Sequence, residues 1–63
     1  MRYLVDTVRY EKGLSLRQLA RRAQISKSYL QRIEAGEAKP SLEIMLQLAR
    51  ALAVPLDALY QED

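Results

Sequence analysis

Neither cysteine nor histidine occurs anywhere in this 63-residue chain, and that double absence narrows what it can become. A chain so short buries only about 60% of the surface it exposes when unfolded. Domains of this size therefore lean on disulfides, a bound metal, very regular helix packing or self-association. The first two are closed off, because no disulfide can form and zinc sites of the usual kinds lack their ligands. Imidazole and thiol chemistry go with them. No catalytic residue, metal site or cofactor is assigned, and an enzyme is not expected of a small bundle without a nucleophile and base in a pocket. Regular helices and association with copies of itself remain.

The formal net charge is only +2, but it is unevenly distributed. Residues 1–11 sum to zero, Lys12 to Ile33 holds six basic residues (Lys12, Arg17, Arg21, Arg22, Lys27, Arg32) and no acid, and Glu34 to Asp63 holds six acids against two bases. Solvated helix faces mix signs, so a basic block of this kind points to an anionic partner. No segment reads as a secretory signal or a membrane span: the first ten residues carry Arg2, Asp6 and Arg9, and the longest unbroken apolar run is Ala51–Val54. A cytoplasmic protein with no membrane partner is expected.

Apolar residues recur at helical spacing between Gly13, Gly36 and Pro55, and only Val5, Thr7 and Val8 hint at strand, so the pattern predicts an all-α chain of five short helices. The first covers about Tyr3–Lys12 and stops at Gly13. Ser15 with Gln18 three residues on is a capping-box pattern that starts the second near Leu16, with Leu16, Leu19, Ala20 and Ala23 on one narrow face. Ser26 caps a third over about 27–35 whose Leu30 and Ile33 face inward. Ser41 caps a fourth with the stripe Leu42, Met45, Leu48, Ala49 and Leu52, flanked by Ile44 and Leu46. Val54-Pro55 opens a fifth carrying Leu56, Leu59 and Tyr60. Tyr3 and Tyr10 read as packing residues.

Two helices joined by a turn of a few residues, the first with small residues inside and the second polar and basic outside, form a helix-turn-helix unit, here about residues 16–35. Five segments carry a wider likeness: Lys12-Gly13-Leu14-Ser15-Leu16 with Leu19-Ala20; Ile25-Ser26-Lys27-Ser28-Tyr29-Leu30; Arg32-Ile33-Glu34-Ala35-Gly36; Lys39-Pro40-Ser41-Leu42; and Leu48 through Asp57. Across residues 4–60 the chain resembles the phage-repressor and Cro family of DNA-binding domains, the XRE family.

That resemblance implies a compact five-helix bundle of the lambda-repressor-like type, one domain over residues 1–63, with the recognition helix (about 27–35) in the major groove of double-stranded DNA. It places base reading on Lys27, Ser28, Gln31 and Arg32. These residue types suit the task, since Lys or Arg donates to guanine O6/N7 and Gln pairs both ways with adenine. It places phosphate contacts on Arg17, Ser26, Tyr29 and Lys39, which fix register without reading sequence. Ser26 also suits an N-cap and Tyr29 also suits packing. Arg21 and Arg22 add supporting field. Arg9 and Glu34 fall where similar domains have a structural salt bridge. Similar domains dimerise through their last helix, so Leu56, Leu59 and Tyr60 are the expected homodimer surface, although core packing would explain the same residues. Location on the nucleoid follows from a DNA partner.

Two positions depart from the pattern: Gln24 and Ala53 stand where the family has Gly, and if left-handed each costs roughly 1 kcal/mol relative to Gly. The expected function is a sequence-specific repressor binding an inverted-repeat operator as a homodimer. The alternative is a protein-interaction module, an antitoxin or regulatory adaptor that uses the surface of helices four and five.

Overall fold

Serine starts three of the helices. In the computed structural model, which describes residues 1–62, Ser15, Ser26 and Ser41 are extended, and each hydroxyl accepts the backbone N–H three residues on, from Gln18, Tyr29 and Ile44, at 3.1, 3.0 and 3.2 Å. Each bond satisfies an amide that a first helical turn leaves without a partner. At Ser15 the exchange is reciprocal, since Gln18 Oε1 accepts the Ser15 N–H at 2.8 Å. The elements run β1 (Arg2–Tyr3), α1 (Val5–Glu11), α2 (Leu16–Ala23), α3 (Lys27–Glu34), α4 (Leu42–Leu52), a 3-10 turn (Leu56–Leu59) and β2 (Tyr60–Gln61).

The four α-helices end alike. Each is followed within two residues by one that turns left-handed, Gly13, Gln24, Gly36 and Ala53 (φ 70°, 60°, 79° and 57°). The following N–H then folds back onto a carbonyl of the last turn: Leu14 onto Arg9, Ile25 onto Ala20, Glu37 onto Arg32 and Val54 onto Ala49, at 2.8 to 3.1 Å. This closure satisfies carbonyls that the helix end would leave bare. Gln24 and Ala53 adopt it although a Cβ makes the left-handed region cost about 1–2 kcal/mol. Glycine would remove that strain and add about 0.4–1 kcal/mol of unfolded-chain freedom. Ala53→Gly is therefore expected to stabilise the fold by about 0.5–1 kcal/mol, read as a rise in the urea midpoint at unchanged m-value. A fall in the midpoint would contradict the strain argument.

Among the described residues there are four α-helices where five were expected, and the fifth is the reason. Pro55 is extended, the segment behind it closes only a 3-10 turn, and Tyr60 then straightens (φ −147°, ψ 157°). There it pairs antiparallel with Tyr3, as Gln61 does with Arg2, and the Leu4 N–H continues the tie by donating to the Leu59 carbonyl at 2.8 Å. Tyr3 is thus strand rather than the start of α1, while Val5 and Val8, which hinted at strand, are helical. The expected third helix stops one residue early, with Ala35 as its C-cap.

One core lies between the helices: Val5 and Val8 from α1; Leu19, Ala20 and Ala23 from α2; Leu30 and Ile33 from α3; Met45, Leu48, Ala49 and Leu52 from α4; and Leu59. Three side-chain assignments are corrected. Leu59 is 0% exposed, so it fills this core and has no surface for a second copy, because the 3-10 turn rolls it inward. Leu42, the first residue of α4, is 65% exposed and leaves the inner stripe. Tyr10 is 72% exposed and stands outside the core, its ring stacked against a guanidinium. No helix among the described residues is long and apolar enough to cross a membrane.

Candidate nucleic-acid interface

α3 is amphipathic in the simplest way. Leu30 and Ile33 are buried, and Lys27, Ser28, Gln31 and Arg32, at i, i+1, i+4 and i+5, are exposed along the opposite arc. Ser28, Gln31 and Arg32 also border an open cleft of about 620 Å³ shared with Asp6 and Tyr10 of α1, whereas Lys27 stands outside it at the first turn. Arg17 is exposed at the start of α2 and Lys39 in the α3–α4 loop. Ser26 caps α3, and Tyr29 is half-buried, packed against the core. Arg21 and Arg22 are exposed in the last turn of α2, where their charge suits the helix C-terminus.

The basic block forms no ion pairs of its own. Among the described residues no carboxylate lies within salt-bridge distance of Arg17, Arg21, Arg22, Lys27, Arg32 or Lys39. Surface cations without carboxylate partners attract a polyanion and steer its approach. Nothing here resembles a metal centre: no group of three or more His, Cys, Asp or Glu that could hold an ion occurs among the described residues.

Side chains from outside the helix pair brace the C-terminal end of α3 and the turn that leads into it. At its C-terminal end Arg9 Nε and Nη2 donate to Glu34 Oε2 and Oε1 at 2.9 and 3.0 Å, with both side chains about nine-tenths buried. Arg9 Nη1 donates to the Leu14 carbonyl at 3.0 Å, so one guanidinium ties α1 to the approach of α2 and to the end of α3. The Glu34 hydrogen bond pushes the Arg9 pKa above its ordinary value, outweighing the lowering by burial. Ahead of α3, Gln47 of α4 donates from Nε2 to the carbonyl of Ala23, the last residue of α2, at 2.8 Å, directly before the left-handed Gln24. Sequence reasoning missed Gln47. The available signal was a lone uncharged amide at the margin of the apolar stripe of α4.

With this geometry in place, comparison with known proteins is specific. The helix-turn-helix family profile matches residues 7–59. An uncharacterized HTH-type transcriptional regulator of Mycobacterium tuberculosis is 45% identical over 47 residues, 75% of this chain and 34% of that protein. The immunity repressor protein of Bacillus phage phi105 is 36% identical over 59 residues, 94% of this chain and 41% of the repressor. The chain thus spans about a third to two-fifths of the length of these relatives. Among solved structures, the restriction-modification controller protein C.AhdI of Aeromonas hydrophila superposes with a TM-score of 0.86 at 34% identity, covering 89% of this chain and 85% of the controller.

Proposed function

The chain belongs to the XRE-type helix-turn-helix family of transcriptional regulators, and from that premise we propose that it binds double-stranded DNA sequence-specifically as a homodimer and represses transcription at an inverted-repeat operator. In this reading residues 1–63 are one domain, α2 and α3 (about 16–35) are its helix-turn-helix unit, and α3 enters the major groove. The observation that carries it is the outer arc of α3: four exposed polar or basic side chains on a helix braced at its C-terminal end and at the turn that leads into it, with basic residues that form no salt bridge among the described residues. Lys27, Ser28, Gln31 and Arg32 read base edges. Arg17, Ser26, Tyr29 and Lys39 hold the phosphates, releasing counterions and making affinity fall with salt.

Leu56 and Tyr60, both half-buried, contribute to the dimer surface, and with Leu42, Met45, Met1 and Tyr3 they line an apolar groove of about 290 Å³. A dimer sets two recognition helices roughly 34 Å apart, one turn of DNA. The same groove favours a second reading, a protein-interaction module in which a partner protein covers it.

Selection from a randomised duplex pool, followed by anisotropy across a salt series, tests the proposal. An enriched inverted repeat bound far more tightly than random DNA supports it. No enrichment, with binding lost at physiological salt, overturns it in favour of the protein-partner reading. On the selected duplex, Arg32→Ala is expected to lose about 1–3 kcal/mol of discrimination at one base pair. Lys39→Ala is expected to weaken all sequences alike and reduce the salt slope by about 0.9. Equal losses on every sequence for both variants would refute the division of roles.

A further inference from the structure

The turn between α2 and α3 is the one joint through which the base-reading arc could swing, and its closure is not left to the two helices it joins. Ala23, the last residue of α2, is 2% exposed, and the next residue turns left-handed without being glycine. A chain that has turned this way cannot return a helical N–H to the Ala23 carbonyl, and a buried carbonyl without a donor is costly. The bonds that close the turn go to Ala20 and Arg21 instead, from Ile25 and Gln24. The donor that reaches Ala23 comes from α4: Gln47 Nε2 at 2.8 Å. α4 is also the longest helix, and its Leu48 and Leu52 are almost completely buried, so it is the most firmly seated part of the fold.

We infer that Gln47 is a positioning residue for sequence recognition. By holding the Ala23 carbonyl it fixes the elbow at Gln24, and so the angle at which Lys27 and Ser28 on the first turn of α3 meet the bases. Arg9 and Glu34 fix the far end of the same helix. With its Glu34 end and the turn before it both held, α3 has one orientation against α4. With the Gln47 bond removed, it pivots about its Glu34 end, and displacement is largest at Lys27. Loss of Gln47 therefore costs discrimination between bases rather than attraction to DNA, which comes from exposed cations that Gln47 does not touch. This part of the inference rests on the proposed function, whereas the orientation of α3 does not.

The test uses Gln47→Met, which keeps the length and loses the donor, and Gln47→Lys, which restores one. The readouts are residual dipolar couplings of α3 relative to α4 in the free protein, and the affinity ratio between the selected duplex and duplexes altered at single positions. For Gln47→Met, altered α3 couplings, a ratio reduced about tenfold and unchanged salt-dependent binding to random DNA are expected. Gln47→Lys should restore the couplings and the ratio. Unchanged couplings in Gln47→Met overturn the inference. So does a ratio recovered by adding Ala53→Gly, because stability alone would then explain the loss. If Gln47→Met does not fold by itself, the same readouts are taken in the Ala53→Gly background, where couplings that match those of Ala53→Gly alone overturn the inference. If the wild-type chain selects no sequence, the proposed function fails, and the couplings alone decide whether Gln47 sets the elbow.

Discussion

Glu34→Ala is expected to remove most of the stability of this fold. Arg9 is 7% exposed and makes a two-pronged bond to Glu34, with its remaining prong on the Leu14 carbonyl. Taking away the carboxylate leaves a buried guanidinium without its partner, and a guanidinium does not escape by losing its proton. Breaking a buried pair from one side costs about 3–5 kcal/mol. A 63-residue domain has only about 3–9 kcal/mol in all, at 0.05–0.15 kcal/mol per residue. Urea unfolding followed by helical circular dichroism should place Glu34→Ala near or below the folding threshold at 25 °C. The paired replacement Arg9→Met with Glu34→Leu should regain most of the loss, because an apolar pair of similar size carries no desolvation penalty. A loss under about 1 kcal/mol for Glu34→Ala would place the pair among ordinary surface bridges.

Leu30→Ala follows closely in size. Leu30 is 0% exposed, it is one of the two side chains by which α3 is buried, and it belongs to the core that α2 and α4 share. Core truncations of this kind cost about 2–5 kcal/mol, made up of lost transfer energy and the cavity left behind. The variant should unfold at a much lower urea concentration, while Leu42→Ala, at a leucine 65% exposed, should shift the midpoint by less than about 0.5 kcal/mol. Equal shifts for the two leucines would contradict the assignment of inner and outer faces.

The local grammar of the chain was readable because it depends on neighbours a few residues apart. Ser15, Ser26 and Ser41 announce helix starts through a hydroxyl and the third amide on, and Gly13 and Gly36 announce ends through a left-handed turn. The same closure at Gln24 and Ala53 was legible only as an exception to a family pattern, since neither residue advertises a positive φ. The arc of Lys27, Ser28, Gln31 and Arg32 was legible from helical spacing alone. Partners distant in sequence were harder to read. Tyr3 and Tyr60 become strand because they find each other across nearly the whole chain, and two residues carry no periodicity to show it. Leu59 looked like surplus apolar surface because the 3-10 turn that rolls it inward follows from that same pairing. Gln47 was silent for a related reason: its partner is a backbone carbonyl 24 residues earlier, which no side-chain pattern reveals.

The pairing of Arg2 with Gln61 and Tyr3 with Tyr60 also bears on the order in which the molecule assembles. Joining residues so far apart closes nearly the entire chain into a loop, the largest entropic toll of any contact in the fold, whereas each helix and the turn from α2 to α3 form between near neighbours. The clasp is therefore the last contact made on folding and the first released on opening. Its release uncovers Leu59, whose backbone carbonyl holds Leu4 and whose side chain is sealed in the core. Opening of the Arg2–Tyr3 and Tyr60–Gln61 pair is coupled to the interior, so this short ribbon acts as a latch on the bundle.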